Sequence, residues 1–529
     1  MHFDILVRGG LVIDGSGAVP RVADVGIVRD RVVDIGSMPD TAASVVIDAA
    51  GMCVAPGFID SHTHSDMACF QPVENTDVIT AAVRQGVTTE VCGNCGFSPF
   101  PCPSGRRNDL ERHLSALFRS APIDWTDLAG YAESVLERGI TANLAPLVGH
   151  GSLRAAVLGF SDRPARADEL DAMSRLLDEA LEQGAHGLSS GLVYMPGAFA
   201  GTEELVALAR SLGRARRPYV SHIRGETDMV AESVAEAIRI GGEASVPVHI
   251  SHHKVAGRKN WGRTEATLEL ITSSRHLGLD VTLDVYPYTA ASTFLHAILP
   301  NWSLAGGITP MLDRLRDGVA RDRIRRDFAG DLPGWQNLPR AAGWDSIVIS
   351  SCPGRTELEG RSLSELAGEA GKPPSDYAFD LLVEQRGDVM MIIHMMDEGD
   401  VRRVMEYGAT MIGSDGIPLP GKPHPRWAGT FARVLGRYTR DLKLFDLATA
   451  IRKMTSLPAA RFGLTGRGTL APGSYADLVV FDAATVRDAA TFEAPLAAPI
   501  GIRHVFVNGR QVVREGLLTG LRPGLVLQA

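Results

Sequence analysis

The sequence predicts an α/β protein: a (β/α)8 TIM-type barrel, a small β-sandwich domain built from both chain ends, and an insertion between the late barrel strands. Three observations predict it. Through residues 58–465 short apolar runs alternate with amphipathic helices, the pattern of a parallel sheet with crossover helices. Residues 1–57 and 466–529 share a different texture, short apolar runs broken by Gly/Asp turns. Residues 289–410 are too long to be one strand-to-helix connection.

At the N-terminus, DILVRGG, LVIDGSG, ADVGIVRD, RVVDIG and VVIDAAG read as short strands joined by tight turns. MHFDILVRGGLVIDGSG is strand–turn–strand and not a signal peptide. In the barrel region the strand candidates are GVTTEVC, ITANLAPLV, GLSSGLVY, PYVSHI, VPVHISH, LDVTLDVYPY and ATMIGSD. ELDAMSRLLDEALEQG, residues 169–184, has Leu170, Met173, Leu176, Leu177, Ala180 and Leu181 at helical spacing. The insertion is expected within about 289–350, over the barrel mouth. It holds one charged helix, MLDRLRDGVARDRIRRDF, and a strand candidate, GWDSIVISS. ADLVVFD, IRHVFVNG and QVVREG return to the texture of the N-terminus and complete the sandwich.

Composition narrows the function classes. Of 529 residues 45% are hydrophobic and 22% charged, as in an ordinary soluble globular protein. The net charge of −9, with no basic run, argues against nucleic acid and anionic membrane as partners. No run approaches the ~18 apolar residues of a membrane span. Six cysteines in so long a chain do not make a disulfide framework, and a cytoplasmic location with reduced thiols is expected. Lysines are scarce: there are six, and the first is Lys254.

In a parallel barrel the chemistry sits where strands end, and five strand ends carry ligand-type residues. CVAPGFIDSHTHSDM places His62 and His64 two apart, so on one face, where two imidazoles can chelate a metal. PYVSHIRGE carries His222, and VPVHISHHKVAG carries His252 and His253. Alternation sets His252 against His249 and His253, so only one set can look inward. ATMIGSDG carries Asp415, a ligand or general base unless it merely caps a turn. GVTTEVCGNCG carries Cys92 and Cys95, which differ in parity; a strand would point them apart. A zinc ribbon needs a second C-x-x-C, and the sequence has none.

The ordered set HTH, GNCG, SHIRGE, ISHHK, DVYPY, then GSDG with HPR following, resembles the amidohydrolase superfamily. Within it, the sequence is most similar to the D-aminoacylase (N-acyl-D-amino-acid deacylase) family, across nearly the full chain. Most two-metal members bridge their metals with a carbamylated lysine, but no lysine lies between His64 and His222 here. The resemblance implies Cys95 in the bridging position, a tight site of Cys95, His222 and His252, and a second, weaker site completed by His62 and His64. Zn2+ suits such nitrogen and sulfur ligands. Cys92 falls outside the match.

The implied reaction is hydrolysis of the amide of an N-acyl-D-amino acid, a small-molecule substrate, with Asp415 as general base and then general acid. The resemblance assigns the substrate carboxylate to Lys254, Tyr286 and Arg426, with Tyr288 competing for the role of Tyr286. Relatives that accept acidic side chains place an arginine in the stretch TAASTFLHAILPNW, residues 289–302. This chain offers Phe294, Leu295, Ile298 and Leu299 instead, so hydrophobic or neutral side chains are expected. The competing readings are a hydantoinase- or dihydropyrimidinase-like enzyme acting on a cyclic amide, which usually needs the missing lysine, and a non-catalytic zinc-binding barrel, which has no need of Asp415.

Overall fold

The structure, a computed structural model, describes residues 2–39, 41–118, 123–330 and 332–529. Among these, eight parallel strands form the barrel: Phe58–Asp60, Val87–Cys92, Asn143–Pro146 resuming at Val148–Gly149, Leu188–Gly191, Tyr219–His222, Val248–Ile250, Val281–Val285 and Thr410–Ile412. The third strand bridges its neighbours in turn, Leu147 N donating to Cys92 O (2.9 Å) and Val148 N to Gly187 O (2.9 Å). Closure falls between the first and eighth strands. Asp415 N donates to His62 O (2.8 Å) and His64 N to Gly416 O (2.9 Å), so the residues that seal the barrel are also ligand candidates.

The strands are apolar on both faces because each is covered on both. Ile59, Val91, Ala145, Leu147, Val220 and Met411 meet inside, where Phe462 and Leu464 pack with them. On the outer layer, helix Ala167–Glu182 buries Met173, Leu177 and Ala180, with Leu170, Leu176 and Leu181 partly covered, which is the stripe its spacing predicts.

The two chain ends share one nine-stranded sheet among the described residues. Its centre is the antiparallel pairing of Cys53–Pro56 with Leu478–Phe481. Val7, Val25, Val32 and Val54 pack with Leu478, Val480 and Phe506 in a single core. DILVRGG and LVIDGSG are not two strands about a turn. Phe3–Val12 is continuous, and Gly9 (φ 69°) lets it bulge where its pairing register shifts.

The insertion is longer than expected. A three-stranded antiparallel sheet, Ala290–Phe294, Met390–His394 and Ile347–Ser351, runs past residue 350 and has its own core with Leu295, Ile298, Leu315 and Phe379. Its central strand, MMIIH, is apolar like a barrel strand, and its antiparallel pairing is a long-range property. The expected charged helix is two, Ile308–Arg316 and Gly318–Ala329. Asp317 divides them: its backbone is extended (ψ 124°) and its carboxylate accepts from Ala320 N, capping the second helix.

Gly509 (φ 74°) abuts the turn at Arg29, where a Cβ would overlap the Arg29 carbonyl; Gly520 (φ 81°) has open space around it. Both alanine variants strain the backbone, but only Gly509→Ala forces the two chain ends apart. Thermal melts should therefore place Gly509→Ala well below Gly520→Ala, with an excess cost of about 1–3 kcal/mol. Equal melting temperatures would show that this contact does not hold the sheet together.

Candidate metal centre

Above the C-terminal ends of the barrel strands, the side chains of His62, His64, Cys95, His222, His252 and Asp415 converge, all buried. Cys95 Sγ is central. It lies 3.3 Å from His62 Nε2, 3.5 Å from His222 Nδ1 and 3.5 Å from His252 Nε2. Asp415 Oδ1 is 3.3 Å from His64 Nε2 and 3.5 Å from His62 Nε2. Two overlapping groups result, Cys95–His222–His252 and His62–His64–Cys95–Asp415, with the ligand atoms of each within 4.8 Å of one another. A thiolate, imidazoles and a carboxylate at this spacing fit a small, borderline-soft divalent ion such as zinc.

Backbone conformation aims three of these groups. Cys95 (φ 53°), His252 (φ 35°) and Asp415 (φ 50°) are all left-handed, a state costing a residue with a side chain about 1–3 kcal/mol unless its surroundings enforce it. Around Cys95 the enforcement is visible. Gly96 N donates to Ser189 Oγ (3.0 Å), Asn94 Nδ2 to Val91 O (2.9 Å), and His113 Nε2 lies 3.1 Å from Gly96 O. Gly191 and Gly149 face this loop with bare backbone; a Cβ on either would overlap the carbonyl of Cys95 or Gly96. The glycines around Cys95 thus permit a buried loop pressed on two strands.

The two cysteines of GNCG and its flank diverge. Burial alone would raise the Cys95 thiol, but the imidazoles of His62, His252 and His222 outweigh it and hold the thiol well below its ordinary value. Burial, with Asp66 and Glu90 beside it, pushes the Cys92 thiol well above its ordinary value. All six cysteines are free thiols. Asp415 is opposed by burial too, yet Arg426 and His252 hold its carboxyl well below the usual range. Arg426 Nη1 lies 2.8 Å from Asp415 Oδ2.

Alternation misplaces one histidine pair. His249 and His252 both meet Asp284 inside the barrel: His249 Nε2 is 2.7 Å from Oδ2, and His252 N donates to Oδ1 (2.9 Å). The strand ends at Ile250, and the left-handed turn at His252 resets the facing. His253 turns away to Thr267 Oγ1 at 2.8 Å.

Sequence reasoning missed two residues, although both lie within motifs it singled out. Asp284 of DVYPY stands 3.5 Å from His62 Nδ1. Glu226 of SHIRGE accepts from Lys254 Nζ at 2.6 Å and lies 3.2 Å from His252 Nδ1.

A cleft opens over the cluster, lined by His222, His252, Asp415, Lys254 and Tyr286 on the polar side. Tyr288 is off the cleft wall, its ring under Arg433 at 4.8 Å. Arg426 lies behind the wall, 4.7 Å over the Tyr286 ring. Of the four apolar residues expected to form the side-chain pocket, only Leu299 reaches the cleft; Leu295 and Ile298 pack into the insertion core and Phe294 against Phe97 and Tyr194. The apolar wall comes instead from Leu192, Leu299, Trp335, Leu338, Ile393 and Met395.

The pattern of the amidohydrolase family matches residues 45–513. The chain belongs to the amidohydrolase family. This amidohydrolase is 42% identical over 525 residues to a D-aminoacylase of Alcaligenes xylosoxydans xylosoxydans, covering 99% of this chain and 97% of the relative. It superposes on a D-aminoacylase crystal structure with a TM-score of 0.83 and 41% identity, covering 100% of both chains. A Bordetella bronchiseptica N-acyl-D-glutamate deacylase, solved with zinc and a phosphonate mimic of the tetrahedral intermediate, gives a TM-score of 0.84 at 36% identity, again over 100% of both chains. This amidohydrolase therefore has the fold expected of it, a TIM-type barrel with a β-sandwich.

The divergence of the two cysteines sets an asymmetric test. Cys95→Ala should lose tightly bound zinc by metal analysis, whereas Cys92→Ala should retain it and lose about 1 kcal/mol or less of stability. Equal loss of zinc from both variants would restore the C-x-x-C pair as a unit.

Proposed function

We propose that this amidohydrolase hydrolyses the amide bond of N-acyl-D-amino acids with hydrophobic or neutral side chains, using zinc held by Cys95, His222 and His252. His62 and His64 would complete a second, weaker site. The observation that carries the reading is the buried thiolate of Cys95, set among imidazoles and within a few ångströms of Asp415. When bound, zinc lowers the pKa of a water and polarises the scissile carbonyl.

The chain's own groups supply the rest. Asp415, kept ionised by Arg426, accepts a proton from the attacking water and returns it to the leaving amine. Lys254 and Tyr286 face the cleft from one side and receive the substrate carboxylate, with Arg426 adding charge from behind Tyr286. Anchoring the carboxylate there and the acyl carbonyl over the His cluster leaves the side chain one direction, which is how the site selects the D hand. That direction is apolar. The arginine on the cleft wall, Arg224, is spent on Glu236 (2.9 Å) and the carbonyls of Ala198 and Ala200, so an acidic side chain would lose its hydration without a free cation. Among the described residues no helix is long and apolar enough to cross a membrane, and six free thiols accord with a cytoplasmic enzyme.

Asp415→Asn should cut hydrolysis at least ~100-fold while the tightly bound zinc is retained; undiminished turnover would remove Asp415 from the mechanism. On a panel of N-acetyl amino acids, the D-leucine derivative should be cleaved with a higher kcat/KM than either the D-glutamate or the L-leucine derivative. Preference for D-glutamate would overturn the apolar pocket, and preference for L-leucine the assigned hand.

A further inference from the structure

Glu226 lines the cleft beside the candidate metal centre, 4% exposed, and one of its oxygens has three neighbours of the opposite kind. Lys254 Nζ donates to Oε1 at 2.6 Å, His252 Nδ1 lies 3.2 Å from it, and His222 Nε2 lies 3.8 Å from it. Both imidazoles turn their other nitrogen towards Cys95. The residue itself is fixed at both ends of its peptide unit: Glu226 N donates to Gln336 Oε1 (2.9 Å), and Ala256 N donates to Glu226 O (2.8 Å).

The protons on His252 make this arrangement consequential. A metal at Nε2 needs the lone pair there, so the ring proton must sit on Nδ1. Nδ1 also lies 2.8 Å from Lys254 Nζ. An ammonium has only donors and cannot accept the Nδ1 proton. It would instead donate into Nδ1 and drive the ring proton to Nε2, closing that nitrogen to metal. A carboxylate beside both groups resolves the conflict, because it accepts from the ammonium and from Nδ1–H together.

We infer that Glu226 is a positioning residue that holds His252 in its metal-binding tautomer against the competing ammonium of Lys254, and thereby lets one small volume contain both a metal ligand and a carboxylate-binding cation. For the role of Lys254 this rests on the carboxylate reading above; for the tautomer it does not. Glu226 is in neither group of converging ligand atoms. It acts on the metal through His252 and on the substrate through Lys254.

Zinc affinity, measured by competition with a chromophoric chelator and no substrate present, gives the direct test. Glu226→Gln, which keeps the shape but offers one neutral acceptor to two donors, should weaken zinc binding about 10–100-fold. Adding Lys254→Met should recover most of that loss, because the ammonium that claims Nδ1 is gone. With zinc saturating, Glu226→Gln should raise KM for an N-acyl-D-amino acid more than it lowers kcat. Unchanged zinc affinity in Glu226→Gln, or a double variant no tighter than the single, would overturn the assignment. Glu226→Asp, which keeps the charge on a shorter arm, guards against a single misfolded variant. It should bind zinc more tightly than Glu226→Gln, and an affinity no better than that of Glu226→Gln counts against a role for the carboxylate. If the wild type cleaves no N-acyl-D-amino acid, the functional reading fails, while the chelator titration still decides the role of Glu226.

Discussion

A thiolate inside a protein is stable only where positive charge or a metal surrounds it, and that requirement organises this molecule around Cys95. The imidazoles of His62, His222 and His252 meet the sulfur directly. Two further arms run outward from it, in each of which a buried carboxylate lies between polar side chains. One runs through His252 to Glu226 and Lys254, the other through His62 to Asp284 and His249. Asp415 is balanced by Arg426. No member of these arms is well solvated, so each depends on the next for the polar contacts that water would otherwise supply. The left-handed backbone at Cys95, His252 and Asp415 is the conformational counterpart of the same demand, since the strands alone would not point these groups at one place.

The insertion extends this dependence beyond the barrel. Gln336 fixes the backbone of Glu226, and Met395 O accepts from Gly257 N (2.8 Å) and from Trp261 Nε1 (3.2 Å). The segments that carry the candidate ligands are therefore stitched to the segment that supplies Trp335, Leu338, Ile393 and Met395 to the cleft. The cleft wall and the candidate ligands share supports, which couples changes in one to the other.

The barrel was legible because its strands are buried on both faces and read as apolar runs, and because the helices between them keep a clean 3.6-residue stripe. Cys95 was distinguishable from Cys92 by parity and by the scarcity of lysine, although its proposed role as a ligand came from resemblance. What the sequence hid depends on distance along the chain. MMIIH could not reveal that its partners are 290–294 and 347–351. Leu295 and Ile298 are apolar and near the site in sequence, yet only a third dimension shows them turned into the insertion core. Glu226 and Asp284 carry no signature of their own, because an acidic residue that serves a histidine looks like any other until the fold brings the two together. The facing of His249 against His252 failed for a local reason: strand alternation does not survive a positive φ.

The pairing of Cys53–Pro56 with Leu478–Phe481 has a consequence for how the protein is made. Synthesis runs from the N-terminus, so the strand at 53–56 emerges long before its antiparallel neighbour, and the whole barrel is translated in between. Throughout that interval one edge of an early, apolar strand has its backbone groups unpaired, the state most prone to sticking to another nascent chain. Bringing the two strands closer together in the order of synthesis would shorten this wait.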